Sequence, residues 1–225
     1  MEKKKEVIIF GAGELASVAF FYLTHDSPYK VIAFTVDRNY LEESIFMGLP
    51  VVPFDEVEKE YPPTKFKMFV PLSYSGVNQH RAEKYYQAKS KGYQLISYVC
   101  SKATYWPGLE VGDNCFIFEN NVIQPFVKIG NNVILWSGNH IGHHAVIEDH
   151  CFITSHVVVS GAVKIEPFCF LGVNSTIRDH ITIAKGSVIG AGAIITKDTI
   201  EYGIYYGSAA NILKKNGLSK DLKKI

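Results

Sequence analysis

Imidazole can take up and release a proton near neutral pH because its ordinary pKa is about 6.5, and this chain gathers imidazoles in one stretch. Of eight histidines, His140, His143, His144, His150, His156 and His180 all fall in the second half of the chain. Such a group offers two chemistries, general-base catalysis or a bound metal ion. Near the other end, Gly11-Ala12-Gly13-Glu14-Leu15-Ala16 has the G-x-G-x-x-A spacing of a turn that lets backbone N–H groups approach a diphosphate, and Asp37 follows at a distance suited to a ribose or base contact. Ser73 and Ser75 add two hydroxyls, in a polar segment over 71–78, that could reach the same ligand.

These groups need elements to hold them. Residues 7–10 are a short aliphatic run that ends at the glycine turn, and residues 14–24 carry apolar side chains at helical spacing, which reads as strand, turn and helix. Further strands are expected over 31–36, 49–52, 67–72 and 94–99, and a helix over 78–91. Residues 1–98 therefore predict a small Rossmann-like α/β domain with a parallel βαβ sheet. That length supplies only half of a doubly wound dinucleotide fold, which argues against a redox cofactor, while a helix N-terminus after such a turn can cradle any diphosphate. A purely structural βα turn is the other alternative.

The second half has a different period. Stepping by six from Val111 to Ile195 meets fifteen residues, all of them Ile, Leu or Val. Four positions after each lies mostly a small or β-branched residue. A helix cannot use period six, whereas a chain that turns a corner every six residues can, and the pattern predicts a left-handed parallel β-helix of about five coils over 99–200. Residues 18 apart then stack at the strand spacing of about 4.8 Å. Residues 201–225 are left as a C-terminal tail with a short helix.

Stacking turns the sequence into a surface map. One face should carry Phe116, Phe118, Ile134, Trp136, Phe152, Phe170 and Val188, and this apolar column reads as a subunit interface. Another should carry Lys128, Glu148, Lys164 and Glu166 into solvent. Inside, Asn121 under Asn139 is expected to form an amide ladder, and Cys151 lies over Cys169. His144, His150 and His156, six apart, fall at three different corners of a coil and cannot converge on one ion, so no metal is expected.

Composition narrows the partners. Lys and Arg number 23 against 22 Asp and Glu, which leaves no chain-wide positive field for nucleic acid. No run of about 18 apolar residues exists to span a membrane, and the apolar run before the first glycine turn, residues 7–10, has only four residues. The four cysteines lack CxxC spacing. A cytoplasmic protein with reduced thiols is expected.

Three blocks, VIIFGAGELA, HIGHHAVIEDHCFITSHVVVSGAVKI and CFLGVNSTIRDHITIAKGSVIGAGAIITKD, together with the two-domain order, carry a resemblance to the hexapeptide-repeat acyltransferases. The likeness is to the branch that acylates nucleotide-linked amino sugars, which includes the bacillosamine-pathway acetyltransferase and the sialic-acid O-acetyltransferase group. The resemblance implies a homotrimer that binds acetyl-CoA between neighbouring prisms and the nucleotide sugar on the N-terminal domain. It implies His143 as general base. Gly161, Phe152, Gly172, Ala191 and Gly192 fall on positions along the CoA site, and Gly11, Ala12, Gly13, Asp37, Ser73 and Ser75 on the sugar-nucleotide side. Two positions depart from the family pattern. His144 stands where an acidic residue is common, and Phe152 where some relatives have a second histidine. Gly207-Ser208-Ala209-Ala210 likewise replaces a common G-x-P-A.

The reading that follows is transfer of an acyl group, acetyl by expectation, from CoA to the amine of a nucleotide-linked amino deoxy sugar for surface-glycan synthesis. O-acylation of a sugar hydroxyl by the same site is an alternative. A non-catalytic nucleotide-binding trimer is the alternative from another class.

Overall fold

The computed structural model describes residues 5–207, so the helix expected in the tail lies outside the described residues. Strands β1 (Lys5–Phe10), β2 (Tyr29–Val36), β3 (Ile45–Phe46), β4 (Leu49–Pro53) and β5 (Lys67–Phe69) form one sheet with helices α1 (Glu14–His25), α2 (Val57–Glu60) and α3 (Gln79–Ser90). The strand order is β3-β4-β2-β1-β5, parallel except for the β3–β4 hairpin. Alternation along the strands divides the core. Val7, Ile9, Phe34 and Phe69 join the α1 side, while Ile8, Phe10, Ala33 and Met68 join the side of α2 and α3. Because β1 has β2 on one side and β5 on the other, the connections diverge at the C-terminal ends of β1 and β5. That divergence opens a crevice there.

The strand expected over 94–99 splits. Leu95 makes a single parallel bridge to Met68, and Tyr98–Val99 already pairs with Phe116–Ile117 of the next domain. From there the chain coils with a strict 18-residue register, for example Ile129 beside Ile147 and Ile147 beside Ile165. Pairing continues past residue 200 to Ile204–Tyr205. The result is a triangular prism of three parallel sheets. The stepped aliphatic residues fill its interior, and nearly all of them are buried.

Each corner is made by one residue in left-handed backbone conformation, recurring every six positions. Asn114, Asn120, Phe126, Asn132, Gly138, His144, His150, His156, Ala162, Phe168, Asn174, His180, Gly186 and Gly192 all have φ between 53° and 80°. Asn and Gly suit that conformation best. The six-residue spacing of His144, His150 and His156 is therefore a backbone requirement of the corners.

The face bearing Lys128 and Lys164 is the charged one, laced by Lys128–Glu110, Lys164–Glu148 and Lys164–Glu166 pairs at 3.1–3.3 Å. The aromatic face differs from its expected role. It does not wait for another subunit, because the N-terminal domain of the same chain covers it. Phe116, Phe118, Ile134 and Phe152 share one buried cluster with Val7, Ala19, Leu23 and Phe69. Tyr22 of α1 packs edge-on against Phe116 and Phe118, at 5.9 and 5.1 Å.

Polar contacts fix this docking at the corner between the charged and aromatic faces. Asn114 exchanges two hydrogen bonds with the backbone of Val70, at 2.8 and 3.1 Å, and donates to Asn132 Oδ1 at 2.8 Å. Asn132 Nδ2 donates to His150 Nδ1, leaving the His150 Nε2–H for the Tyr86 hydroxyl, both at 2.9 Å. This histidine is buried between the domains, and burial pushes its pKa down to about 4. The amide ladder sits here, at 114 and 132. Asn121 and Asn139 instead donate to the backbone oxygens of Phe118 and Trp136.

Arg81 of α3 completes the join. Its guanidinium is fully buried, has no carboxylate partner among the described residues, and donates to carbonyl oxygens of Ser73 in the first domain and of Asn132, His150 and Cys151 in the second, at 3.0–3.2 Å. Since the aromatic contact is intramolecular, Phe116→Ala should lower the unfolding free energy by about 3–5 kcal/mol in a denaturant titration. Sedimentation should show the same oligomeric mass as the unaltered protein.

Candidate functional site

Most of the residues singled out from the sequence fall at two separate corners of the prism, and Asp37 and Ser75 do not. His143 lies where the chain passes from the third face, made by Val122–Ile123, His140–Ile141, Val158–Val159, Thr176–Ile177 and Ile194–Ile195, to the charged face. Its backbone N–H donates to Gln124 Oε1 at 2.8 Å. Its exposed ring extends along the prism over Gly161, one coil on. A Cβ built on Gly161 would stand 2.7 Å from His143 Cε1 and 2.8 Å from Nε2. The space left by the missing side chain is thus where the imidazole lies. The Gly161 N–H donates to no group among the described residues, so a ligand beside the Nε2 edge would meet an open donor.

The other corner joins the aromatic face to the third face. Here Trp136, Phe152, Thr154, Ser155 and Val173 meet Glu14, Leu15, Ser73 and Tyr74 of the N-terminal domain around a cavity of about 390 Å³. The glycine turn delivers the start of α1 to this cavity. Gly11 has a φ of +111°, which favours glycine, and its N–H closes on Thr35 O at 2.7 Å. Gly13 caps α1, and a Cβ there would meet nothing within 4 Å. Ser73 follows β5 and reaches the same crevice. Ser75 is exposed and lies outside the cavity wall. Asp37 is engaged elsewhere: its carboxylate pairs with Lys84 of α3 at 2.8 Å, beside a recess formed with Arg38, Phe54 and Lys91.

Phe152 is buried in the cavity wall against Tyr74, 5.1 Å between ring centroids, and on the other side Arg81 lies 5.5 Å from its ring. Gly172, Ala191 and Gly192 continue this corner. A Cβ on Gly172 would come within 2.6 Å of the Ala191 backbone nitrogen, whereas one on Gly192 would meet open space. Sequence reasoning missed Trp136, Thr154 and Ser155 as cavity residues. The 18-residue step could have found them, since 136, 154 and 172 form one column and 137, 155, 173 and 191 the next.

Comparison with known proteins bears on the fold. Residues 108–142, 128–161 and 162–197 match the family described as bacterial transferase hexapeptide (six repeats). Residues 108–197 are thus built of hexapeptide repeats. With its N-terminal domain included, the chain is similar to a mutant of perosamine N-acetyltransferase from Caulobacter crescentus in complex with CoA and GDP-perosamine, at 22% identity and a TM-score of 0.81, covering 93% of this chain and 97% of that one. It is similar to the acetyltransferase domain of PglB from Neisseria gonorrhoeae in complex with acetyl coenzyme A, at 22% identity and 0.80, covering 91% and 97%. It also resembles WeeI from Acinetobacter baumannii, at 18% and 0.77, covering 93% and 100%. The hexapeptide domain and the α/β domain before it thus form a shared fold.

Among the described residues no group of three or more His, Cys, Asp or Glu could hold a metal ion, and no helix is long and apolar enough to cross a membrane. Two glycines of the hexapeptide domain differ in what an added methyl group would meet. Gly161→Ala collides only with the end of a movable side chain, so it should melt within about 2 °C of the unaltered protein while shifting the His143 Cε1 proton resonance. Gly172→Ala collides with backbone and should cost about 1–3 kcal/mol in denaturant unfolding.

Proposed function

We propose that the protein transfers an acyl group, in the first instance acetyl, from coenzyme A to the amine of a nucleotide-linked amino deoxy sugar. The observation that carries this is His143 lying over Gly161 with an open backbone N–H beside it. Support comes from two proteins of the same two-domain fold, one holding CoA with a nucleotide-linked amino sugar and the other acetyl coenzyme A. His143 Nε2 accepts the proton of the sugar amine as its nitrogen attacks the thioester carbon. The Gly161 N–H stabilises the oxyanion, and collapse forms the amide C–N bond, breaks the C–S bond and releases CoA as its thiol.

The sugar nucleotide sits in the crevice at the ends of β1 and β5, its diphosphate at the N-terminus of α1 near Gly11, Ala12 and Gly13 and its sugar toward Ser73. The start of α1 brings one positive helix end and an unobstructed Gly13 to that place. Phe152, Gly172, Ala191 and Gly192 line the path of the CoA arm along the same corner. Ser75 and Asp37 are outer contacts at most, Asp37 after yielding Lys84.

His143 and this crevice occupy different corners of one prism, so a single chain does not close the site. The third face lies between these two corners and is the apolar one left open, with Val122, Val158 and Ile194 exposed by 43%, 38% and 72%. A closed homotrimer packed through that face sets His143 of one copy against the crevice of the next. The four buried free cysteines fit a reducing cytoplasm.

The test is release of free thiol from acetyl-CoA with a panel of nucleotide-linked amino sugars. General-base assistance contributes about 10² to 10⁴, so His143→Ala should lose that much in kcat with little change in the KM for acetyl-CoA. Retention of more than about a third of kcat at saturating substrate would remove His143 from the role.

A further inference from the structure

His144 occupies the position beside the base, and its ring meets that base directly. Its Nδ1 lies 3.1 Å from Nδ1 of His143, with the ring planes at 86°. Two neutral imidazoles share such a contact only when one nitrogen carries the hydrogen and the other the lone pair. His144 is itself held in place. It is a left-handed corner residue with φ of 59°, its N–H donates to Pro125 O at 3.2 Å, and its ring lies against Phe126 at 4.7 Å.

We propose that His144 is a positioning residue for His143: its Nδ1 accepts the His143 Nδ1–H, which leaves the His143 Nε2 lone pair bare over Gly161. The proposal rests on the acyl-transfer reading for its catalytic meaning. A carboxylate in this place can only accept a hydrogen bond, whereas an imidazole can also donate one. If His144 donates, the hydrogen of neutral His143 moves to Nε2 and the base is disarmed. The pair therefore has two neutral arrangements, of which one is competent.

A third hydrogen on the pair, added to either ring, leaves one on the bridge and one on each outer nitrogen, so His143 Nε2 is capped whichever ring receives it. The preceding coil faces it with Gln124, Pro125 and Phe126 and the following coil with Gly161 and Ala162, none of them titratable. Asp179 and His180 follow one coil further along the same corner.

His144→Phe and His144→Asp test this. Phe already occupies the left-handed corner position at 126 and 168, with φ of 67° and 64°, so the ring and its contact with Phe126 fit while the acceptor is lost. Asp visits that conformation too and supplies an acceptor that cannot donate. Long-range proton–nitrogen NMR at about pH 8, above the ordinary imidazole pKa of ~6.5, reads the tautomer without any reaction.

In the unaltered protein and in His144→Asp, His143 should carry its hydrogen on Nδ1, and in His144→Phe mainly on Nε2. In the acyl-transfer assay His144→Phe should lose at least about tenfold in kcat, with the KM for acetyl-CoA within about twofold. His144→Asp should restore kcat and move the acid limb of kcat/KM to higher pH, because a carboxylate favours the imidazolium. The proposal is overturned if His143 of the unaltered protein carries its hydrogen on Nε2, or if His144→Phe changes neither tautomer nor kcat. The expected tautomers without any acyl transfer would uphold the positioning role and refute the reaction.

Discussion

One backbone requirement organises the molecule: every sixth residue of the hexapeptide domain must enter the left-handed region, or the chain cannot turn its corner. Asn, Gly and His fill most of those positions, and the coil between them is short enough that only two residues per side pair as strand. A strict period of 18 follows, and with it columns of side chains along each edge. His143 is adjacent to one of these forced positions, and the residue that occupies it, His144, inherits a ring orientation from the turn itself. The same column places Gly161 under the imidazole. The placement of the two rings at this corner is therefore a by-product of the repeat plus one omission, the missing side chain at 161.

The second constraint is a buried charge with no counter-charge among the described residues. Arg81 sits between the domains with its guanidinium given over to carbonyl oxygens from both. Burial lowers its pKa to about 9, and its hydrogen bonds to carbonyl dipoles from both sides hold the charge in place. Removing either side would strand it, which ties the α/β domain to one face of the prism. That choice of face has consequences for assembly. With the aromatic column consumed inside the chain and the charged face laced by ion pairs, the third face is the apolar surface that stays open. It carries His143 at one edge and the crevice at the other.

Much of this was legible in the residues. Fifteen aliphatic positions at spacing six specify the prism, its coil length and the stacking of Phe152 beneath Phe170 without further information, because period six has no other common structural solution. The glycine turn and the strands around it were equally readable. The partner of the aromatic face was not, since an apolar column says that something covers it and not which chain supplies the cover; that choice was made by Tyr22, Phe69 and Arg81, far away in sequence. The burial of His150 was hidden for the same reason, as its partner Tyr86 lies 64 residues away. Asp37 at ribose distance looked free because Lys84, on α3, gave no local sign of reaching it. The contact between His143 and His144 was hidden for the opposite reason. Neighbours in sequence point to opposite faces along a strand, and only the left-handed turn brings these two rings together.

The central claim is that the reaction site is built from His143 of one copy and the glycine-turn crevice of another. Mixed oligomers of His143→Ala and Gly13→Val chains, carrying different tags and purified through both, test it most directly at sub-saturating sugar nucleotide. In a mixed trimer of either composition, about one site in three combines an intact His143 with an intact Gly13 across the contact. The account predicts recovery of about a third of the unaltered rate; mixed oligomers no more active than either variant alone would contradict it.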